Sequence, residues 1–330
     1  MNVSARIAAL VAVLASASAL AAPTVLLSPA LGRPDGVTLQ GRVLAETPHG
    51  STPLSLNLRR LAARNWKGAR VEVSFLGAKA HVTSGDDGNF QVTLPPHEGR
   101  TFPVGAHEAR AQVTGASATA RVEIVADAAP FLVVSDFDDT VAISEVTQPD
   151  KLVTNALLRD ADTQRAVPGM AGFYGCLGSD AGAVPAFALV SGSPVQFGPR
   201  VSTFLSRNGF PAGFGLYLRD LGPGTLSGYK QPIIRALLQR FPHPVVLVGD
   251  SGEKDPEVYA QLRDEFPGRV RAIYIRDAGH STDAARFKDM VLFKDVRTAA
   301  EHAAQAGLAR RTCLAKALPP PAPQAETGAP

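Results

Sequence analysis

The sequence predicts an α/β protein: a Rossmann-like parallel sheet preceded by a small β-sandwich domain. Three observations carry this expectation. Between residues 131 and 276, short continuous apolar runs alternate with helical patterns, which is how strands buried on both faces and their crossover helices read. Between residues 24 and 128 the pattern is instead period-two alternation punctuated by turn residues, as in antiparallel strands with one face on a core. Several apolar runs of the second half end abruptly in carboxylates, hydroxyls or an ammonium, and in an open parallel sheet ligands bind at that end of the strands.

In the first half, Val37–Val43, Ala69–Phe75, Ala78–Thr83, Phe90–Leu94, Glu108–Val113 and Ala118–Val125 read as strands. Asp86-Asp87-Gly88-Asn89 is a turn signal between two of them. Leu54–Trp66, apolar at 54, 58, 61 and 62, reads as one helical insert. In the second half the expected strands are Phe131–Ser135, Ala186–Ser191, Gly215–Leu218, Pro244–Gly249 and Val270–Arg276. Helices are expected at about Gly169–Leu177, Val195–Asn208, Tyr229–Phe241 and Pro256–Phe266. Asp255-Pro256-Glu257 supplies a cap, a proline for the first turn and an acid beside the positive end of the helix dipole.

The termini read differently. Residues 1–21 have the form of an export signal: Arg6 as a short positive region, an apolar stretch from Ile7, and Ala19-Leu20-Ala21 before the cleavage position. That stretch is short and alanine-rich for a membrane anchor, so a periplasmic or secreted location is expected. The Pro-rich segment 315–330 reads as a disordered tail. The expected domains are therefore 24–128, β-rich, and 130–308, catalytic.

The composition, 45% hydrophobic and 19% charged, is that of a folded chain. A net charge of +3 with scattered arginines excludes a nucleic-acid footprint. The local run Arg59, Arg60, Arg64 reads either as a solvated helix face or as a contact with anionic lipid head groups, hence a peripheral membrane contact. The seven histidines show no metal-ligand spacing, so zinc is not expected. Cys176 and Cys313 are compatible with a disulfide in an oxidising compartment and equally with burial of Cys176 as a small apolar residue.

The strand ends of the second half hold a specific inventory. Phe131–Ser135 runs into Asp136, Asp138, Asp139 and Thr140; another strand ends at Ser191-Gly192-Ser193; a third ends at Gly249-Asp250-Ser251-Gly252-Glu253-Lys254-Asp255; Lys230 opens a helix. Brought together, these groups suit phosphoryl transfer to a carboxylate. Asp136 is the expected nucleophile, splitting ester hydrolysis into two steps. Asp138 is the expected general acid and then base. A divalent cation, Mg²⁺ by its preference for hard oxygens, has to bridge carboxylate and phosphate. Its expected ligands are Asp136, the backbone carbonyl of Asp138, and Asp250, with Asp255 acting through water or Ser251. Ser191 is expected to bond the phosphoryl oxygens and Lys230 to neutralise the charge. Glu253 and Lys254 read as solvated loop residues. Arg276 and Asp277 read either as facing the site or as a surface pair.

These four groups, an Asp-x-Asp-x-Thr after a strand, a strand-end Ser, a Lys and a late Gly-Asp-x-x-x-x-Asp, resemble the motifs of the haloacid dehalogenase superfamily in their order. Ser135–Val141, Val167-Pro-Gly-Met170, Ser191-Gly-Ser-Pro194, Gly249–Glu257 and Ile273-Tyr-Ile-Arg276 further resemble the actin-patch-protein type of phosphatidate phosphatase. The resemblance implies a magnesium-dependent phosphatase that removes phosphate from phosphatidate, leaving diacylglycerol. It also implies a cap formed from residues 141–167, whose apolar residues either touch acyl chains or pack the cap itself. Two alternatives remain: an exported phosphatase of soluble phosphomonoesters, and a non-enzymatic surface-binding protein that uses the β-rich half.

Overall fold

The computed structural model describes residues 22–143, 164–178, 182–220, 228–279 and 283–318. The expected export signal, most of the expected cap and the chain beyond residue 318 lie outside these residues. Among them, no helix is long and apolar enough to cross a membrane.

The N-terminal half contains eight strands: β1 Thr24–Leu27, β2 Ala30–Arg33, β3 Gly36–Leu44, β4 Arg70–Phe75, β5 Ala78–Thr83, β6 Asn89–Leu94, β7 Gly105–Val113 and β8 Ala116–Ile124. They hydrogen-bond into one sheet in the order β1-β3-β2-β8-β7-β4-β5, and β6 branches from β3. All pairs are antiparallel except β2 with β8. The alternation read from the sequence is the mechanism: Val71, Val73 and Phe75 of β4 point inward with Ala109, Ala111 and Val113 of β7, and join Leu39 and Phe90 in one apolar core. The turn between β5 and β6 needs Gly88, whose φ is +76° and where a Cβ would sit 2.4 Å from the Val43 carbonyl oxygen. The helical insert is shorter than expected: α1 covers Pro53–Ala62. Thr52 and Ser55 close its start reciprocally, the Ser55 amide donating to Thr52 Oγ1 (3.2 Å) and the Thr52 amide to Ser55 Oγ (3.0 Å).

The second half is α/β, with a six-stranded sheet: β9 Leu132–Ser135, β10 Ala186–Pro194, β11 Gly215–Arg219, β12 Val245–Asp250, β13 Val270–Arg276 and β14 Val291–Phe293. The order is β11-β10-β9-β12-β13-β14 and every neighbouring pair is parallel. The helices are α2 Met170–Cys176, α3 Gly198–Arg207, α4 Lys230–Arg240, α5 Asp255–Glu265, α6 Val296–Gln305 and α7 Arg311–Ala317. Both sheet faces are covered. Val133 joins Phe173, Phe204 and Ala299 on one face, while Leu132 and Val134 join Ile234, Leu237 and Tyr259 on the other. Connections leave β9 toward β10 and β11 on one side and toward β12 on the other. That reversal opens a crevice beyond the carboxyl end of β9, the position where such sheets take ligands.

Two expectations need correction at the C-terminus. Residues 315–317, expected to begin a disordered tail, are the last turn of α7, and the α/β half extends past residue 308 to take that helix in. The reason is covalent: Cys313 of α7 is disulfide-bonded to Cys176 of α2, with a Cα separation of 5.4 Å. Leu318 then lies half-buried over Gly169.

The two halves share an interface along β11, an edge of the parallel sheet. The Leu216 amide donates to the Pro29 carbonyl (2.9 Å), and Leu31 and Val125 join the core formed with α4. Arg240 reaches Asp35 through two hydrogen bonds of 2.5 and 3.1 Å. Arg42, buried, and Asn89 both donate to the carboxylate of Asp220, which follows β11. An unpaired strand edge invites association with other chains; here the N-terminal half covers it.

Candidate active site

Asp136 is the first residue after β9, and its amide donates to the Val248 carbonyl of β12 (2.9 Å), which fixes it at the mouth of the crevice. Beneath it Ser135 Oγ donates to the Asp136 carbonyl (2.6 Å) and shares a hydrogen bond with the Tyr174 hydroxyl (2.7 Å). The carboxylate is only 1% exposed. Its Oδ1 lies 2.9 Å from Lys230 Nζ, and its Oδ2 accepts from the Thr140 hydroxyl at 3.2 Å. The chain then turns sharply. Asp139 adopts φ +52°, a left-handed conformation that aspartate accepts more readily than most non-glycine residues, and Arg276 Nη1 holds its carbonyl at 2.6 Å. Arg276 therefore braces the loop after β9 from β13, and its partner there is Asp139 rather than Asp277.

Lys230, buried at the start of α4, is ringed by carboxylates: Asp136 at 2.9 Å, Glu253 at 2.9 Å and Asp255 at 2.6 Å. Burial works against its charge, but the attraction of Asp136 and Asp255 outweighs it and raises its pKa well above the ordinary lysine value. The ammonium therefore stays charged.

Asp250 ends β12, and its Oδ1 accepts the amides of Gly252 (2.6 Å) and Glu253 (3.1 Å). Its Oδ2 is buried and has no hydrogen-bond partner among the described residues. Asp255 begins α5 one position inside the helix, whose cap is Lys254 rather than Asp255 as expected. Its two oxygens serve Lys230 and the Asp250 amide (3.3 Å). Of the two expected links from Asp255 to the site, through water or through Ser251, the described residues show no Ser251–Asp255 hydrogen bond. Ser251 Oγ instead accepts the amides of Ala278 (3.1 Å) and Gly279 (2.9 Å), which anchors the loop after β13.

Among the described residues, Asp136, Asp250 and Asp255 form a buried group whose oxygens all lie within 4.8 Å of one another. Burial pushes the Asp136 carboxyl well above the ordinary carboxylate range, and Lys230 opposes that shift only in part. Burial, reinforced by Asp255, pushes Asp250 up to about 8, and burial likewise raises Asp255. One ammonium does not neutralise three buried carboxylates, and a buried oxygen left without a donor is costly. A cation fits that surplus: it would take the unpartnered Asp250 Oδ2 and an Asp136 oxygen, and would displace the protons that burial favours.

Ser191 is wholly buried near the end of β10 and accepts the Ser193 amide on Oγ (3.0 Å), which leaves its proton for another acceptor. Asp138 stands apart from the buried group, half-buried, with Oδ2 accepting from Ser193 Oγ at 3.1 Å. The structure thus brings Asp136, Lys230, Asp250 and Asp255 into one cluster and sets Asp138 beside it, joined to the Ser191 turn through Ser193.

Three contributors were not legible in advance. Glu253, expected to be a solvated loop residue, pairs with Lys230. Ser193 holds Asp138, which a serine two residues after Ser191 signals only in hindsight. Tyr229, beside Lys230, has a buried hydroxyl without a hydrogen-bond partner among the described residues. That oxygen faces Gly192, where a Cβ would lie 2.8 Å from it. Nothing in the sequence marks Tyr229.

Comparison with known proteins bears out the resemblance read from the motifs. Residues 131–277 match the family model described as phosphatidate phosphatase APP1, catalytic domain. The chain is 29% identical over 177 residues to phosphatidate phosphatase APP1 of Saccharomyces cerevisiae, an alignment covering 51% of this chain and 29% of the yeast protein. It is 31% identical over 154 residues to an uncharacterized protein of Schizosaccharomyces pombe, covering 44% of this chain and 25% of that one. The matched stretch thus spans between a quarter and a third of each relative. Among solved structures, DsGPDH of Dunaliella salina aligns at 15% identity and TM-score 0.34, covering 51% of this chain and 35% of that one. The matched segment of this chain contains every strand-end carboxylate of the buried cluster.

Proposed function

We propose that the chain is an exported, magnesium-dependent phosphatase that hydrolyses phosphatidate to diacylglycerol and phosphate through an aspartyl-phosphate on Asp136. The observation that carries the reading is the buried cluster of Asp136, Lys230, Asp250 and Asp255 at the carboxyl ends of β9 and β12, inside the stretch that matches the phosphatidate phosphatase catalytic-domain model. The parallel order around β9 supports a haloacid dehalogenase-like arrangement. The branching sheet over its own core supports a sandwich-like N-terminal domain. The apolar segment 1–21 supports export, and a phospholipid substrate calls for at least transient contact with a membrane surface.

Magnesium held by Asp136 and Asp250, with the Asp138 carbonyl as a further ligand, would lower the charge that otherwise keeps a phosphate from the nucleophile. The chain's own residues do the rest. Asp136 Oδ1, already beside Lys230, attacks phosphorus; Lys230 counters the charge shared between nucleophile and phosphoryl group. The Ser191 hydroxyl, with its proton free, binds a phosphoryl oxygen. Asp138, aimed by Ser193, gives its proton to the leaving alkoxide. It then takes one from the water that releases phosphate from Asp136. Asp255 positions Lys230 and the Asp250 amide.

The export segment also favours a second reading, in which the substrate is a soluble phosphomonoester outside the cytosol. Phosphate release by the mature protein from detergent-dispersed phosphatidate and from sugar phosphates, with and without magnesium, separates the two. Release from phosphatidate that stops on chelation is expected. Undiminished release by Asp136→Asn protein would sink the mechanism.

A further inference from the structure

The covered edge of the parallel sheet is not packed solid. Between the two halves lies a cavity of about 310 Å³, whose lining includes Gln40, Asn89 and Phe90 from the N-terminal half and Val195, Leu218 and Asp220 from the catalytic half. Its position follows from the register of β10 and β11. Leu218 is the partner of Ser191, and register partners in neighbouring strands project to the same face, about 5 Å apart. The cavity wall therefore begins one strand spacing from the serine of the site. Val195 lies two residues beyond Ser193, whose hydroxyl holds Asp138. The wall and the site share one turn of chain.

The lining also has a definite chemistry. Phe90 offers an aromatic ring, Val195 and Leu218 offer aliphatic surface, and Gln40 and Gln91 offer primary amides, whereas the Asn89 amide is already bonded to Arg42, Asp87 and Asp220. Among the described lining residues the carboxylate is Asp220, met by the buried guanidinium of Arg42, which also donates to Asn89 Oδ1 at 2.8 Å. Asp87 lies against Asp220 as well, so two carboxylates share one guanidinium and no positive charge is left over at this wall. Hydrogen-bonding groups around a ring and short aliphatic walls suit hydroxyl or ester oxygens on a small carbon skeleton. They do not suit a second anionic group.

We propose that this interdomain cavity is the subsite for the alcohol part of the substrate, taking an uncharged polyol or glycerol-ester fragment while the phosphate sits at Asp136. The inference rests on the phosphatase reading above and adds to it that the N-terminal half selects the alcohol. Acyl chains, where present, extend outside the cavity.

The test uses the full mature chain with magnesium and two variants: Val195→Trp, which fills the cavity, and Gln40→Ala, a half-exposed change that removes one amide and leaves the core intact. KM is measured on whichever of glycerol 3-phosphate, glucose 6-phosphate and a short-chain phosphatidate the wild type hydrolyses, which also distinguishes a free polyol from a lipid source. Inhibition by inorganic phosphate reports the phosphate position alone. The expected result is a rise in KM of roughly tenfold in both variants, the net worth of about one hydrogen bond, with the phosphate inhibition constant unchanged. Unaltered KM in active Gln40→Ala protein overturns the subsite, as does a parallel rise in the phosphate constant. Absence of phosphate release from every ester by the wild type overturns the phosphatase reading and the subsite with it, whereas release with unaltered KM overturns the subsite alone.

Discussion

The two halves of the molecule bury polar groups for opposite purposes. In the N-terminal half Ser84 is buried among its own neighbours, its hydroxyl accepting the Ala69 amide and donating to the Trp66 carbonyl. Arg42 is spent on Asn89 and on Asp220 across the interface. In the α/β half Asp136, Lys230, Asp250 and Asp255 converge at one end of one sheet, leaving an Asp250 oxygen without a donor among the described residues. Satisfied buried polar groups fix a fold; a crowded, under-neutralised set at a strand switch point marks a place built for something that arrives later.

The largest effect that tests this contrast is on Asp136. Asp136→Asn removes the nucleophile while preserving its shape, so phosphate release should fall by about 10³-fold or more. The melting temperature should hold or rise, because burial disfavours the charged Asp136 carboxylate and asparagine carries no charge there. Rate assays and thermal melts on the same sample check both. A protein that lost activity only by unfolding would show a depressed melting temperature.

A smaller effect should separate Asp138 from the residue that aims it. Asp138→Asn should slow turnover by about 10²–10⁴-fold, the usual range for a general acid and base. Ser193→Ala should slow it by roughly tenfold, the worth of the lost hydrogen bond. Rescue distinguishes the roles: Ser193→Thr, which keeps a hydroxyl, should recover most of the rate lost in Ser193→Ala, whereas Asp138→Asn protein stays slow.

On stability, the tie between α2 and α7 should be the strongest single contribution measured. The Cys176–Cys313 disulfide closes a loop with a sequence separation of 137. Loops of that size correspond to about 2–5 kcal/mol. Replacement of both cysteines by serine should lower denaturant stability by that amount and leave KM unaffected, since neither residue belongs to the site. Urea titration and steady-state kinetics are the measurements.

Legibility in the sequence followed the same contrast. The parallel strands β9, β10, β12 and β13 were readable because burial on both faces forces continuous apolar runs. Asp136, Lys230 and Asp250 were readable because polar groups end those runs. β14, three residues long and half-exposed, carries too little pattern to be read. Residues 315–317 were read as tail because composition does not report a disulfide to a helix far away in the sequence. Glu253 escaped because nothing local distinguishes a loop acid that meets a buried lysine from one that meets water. Ser193 and Tyr229 escaped for a related reason: their roles depend on which strands lie side by side.

The smallest effect concerns the interface and its pH dependence. Arg240 donates two hydrogen bonds to Asp35 across the two halves, and the hydrogen bond with Arg240 holds the Asp35 carboxyl below its ordinary value of 3.8. A carboxylate with a depressed folded-state pKa stabilises the fold above its unfolded pKa, about 3.9, and that contribution disappears as pH falls through the lower folded value. Asp35 is largely exposed, so its worth is below about 1 kcal/mol. Wild type should therefore exceed Asp35→Asn in urea stability at pH 6, and the difference should shrink as pH falls through the lowered Asp35 value. A difference that persists undiminished in acid would show that the Asp35 charge is not its source, and one that is absent at pH 6 would leave the interface to the Leu31 and Val125 packing.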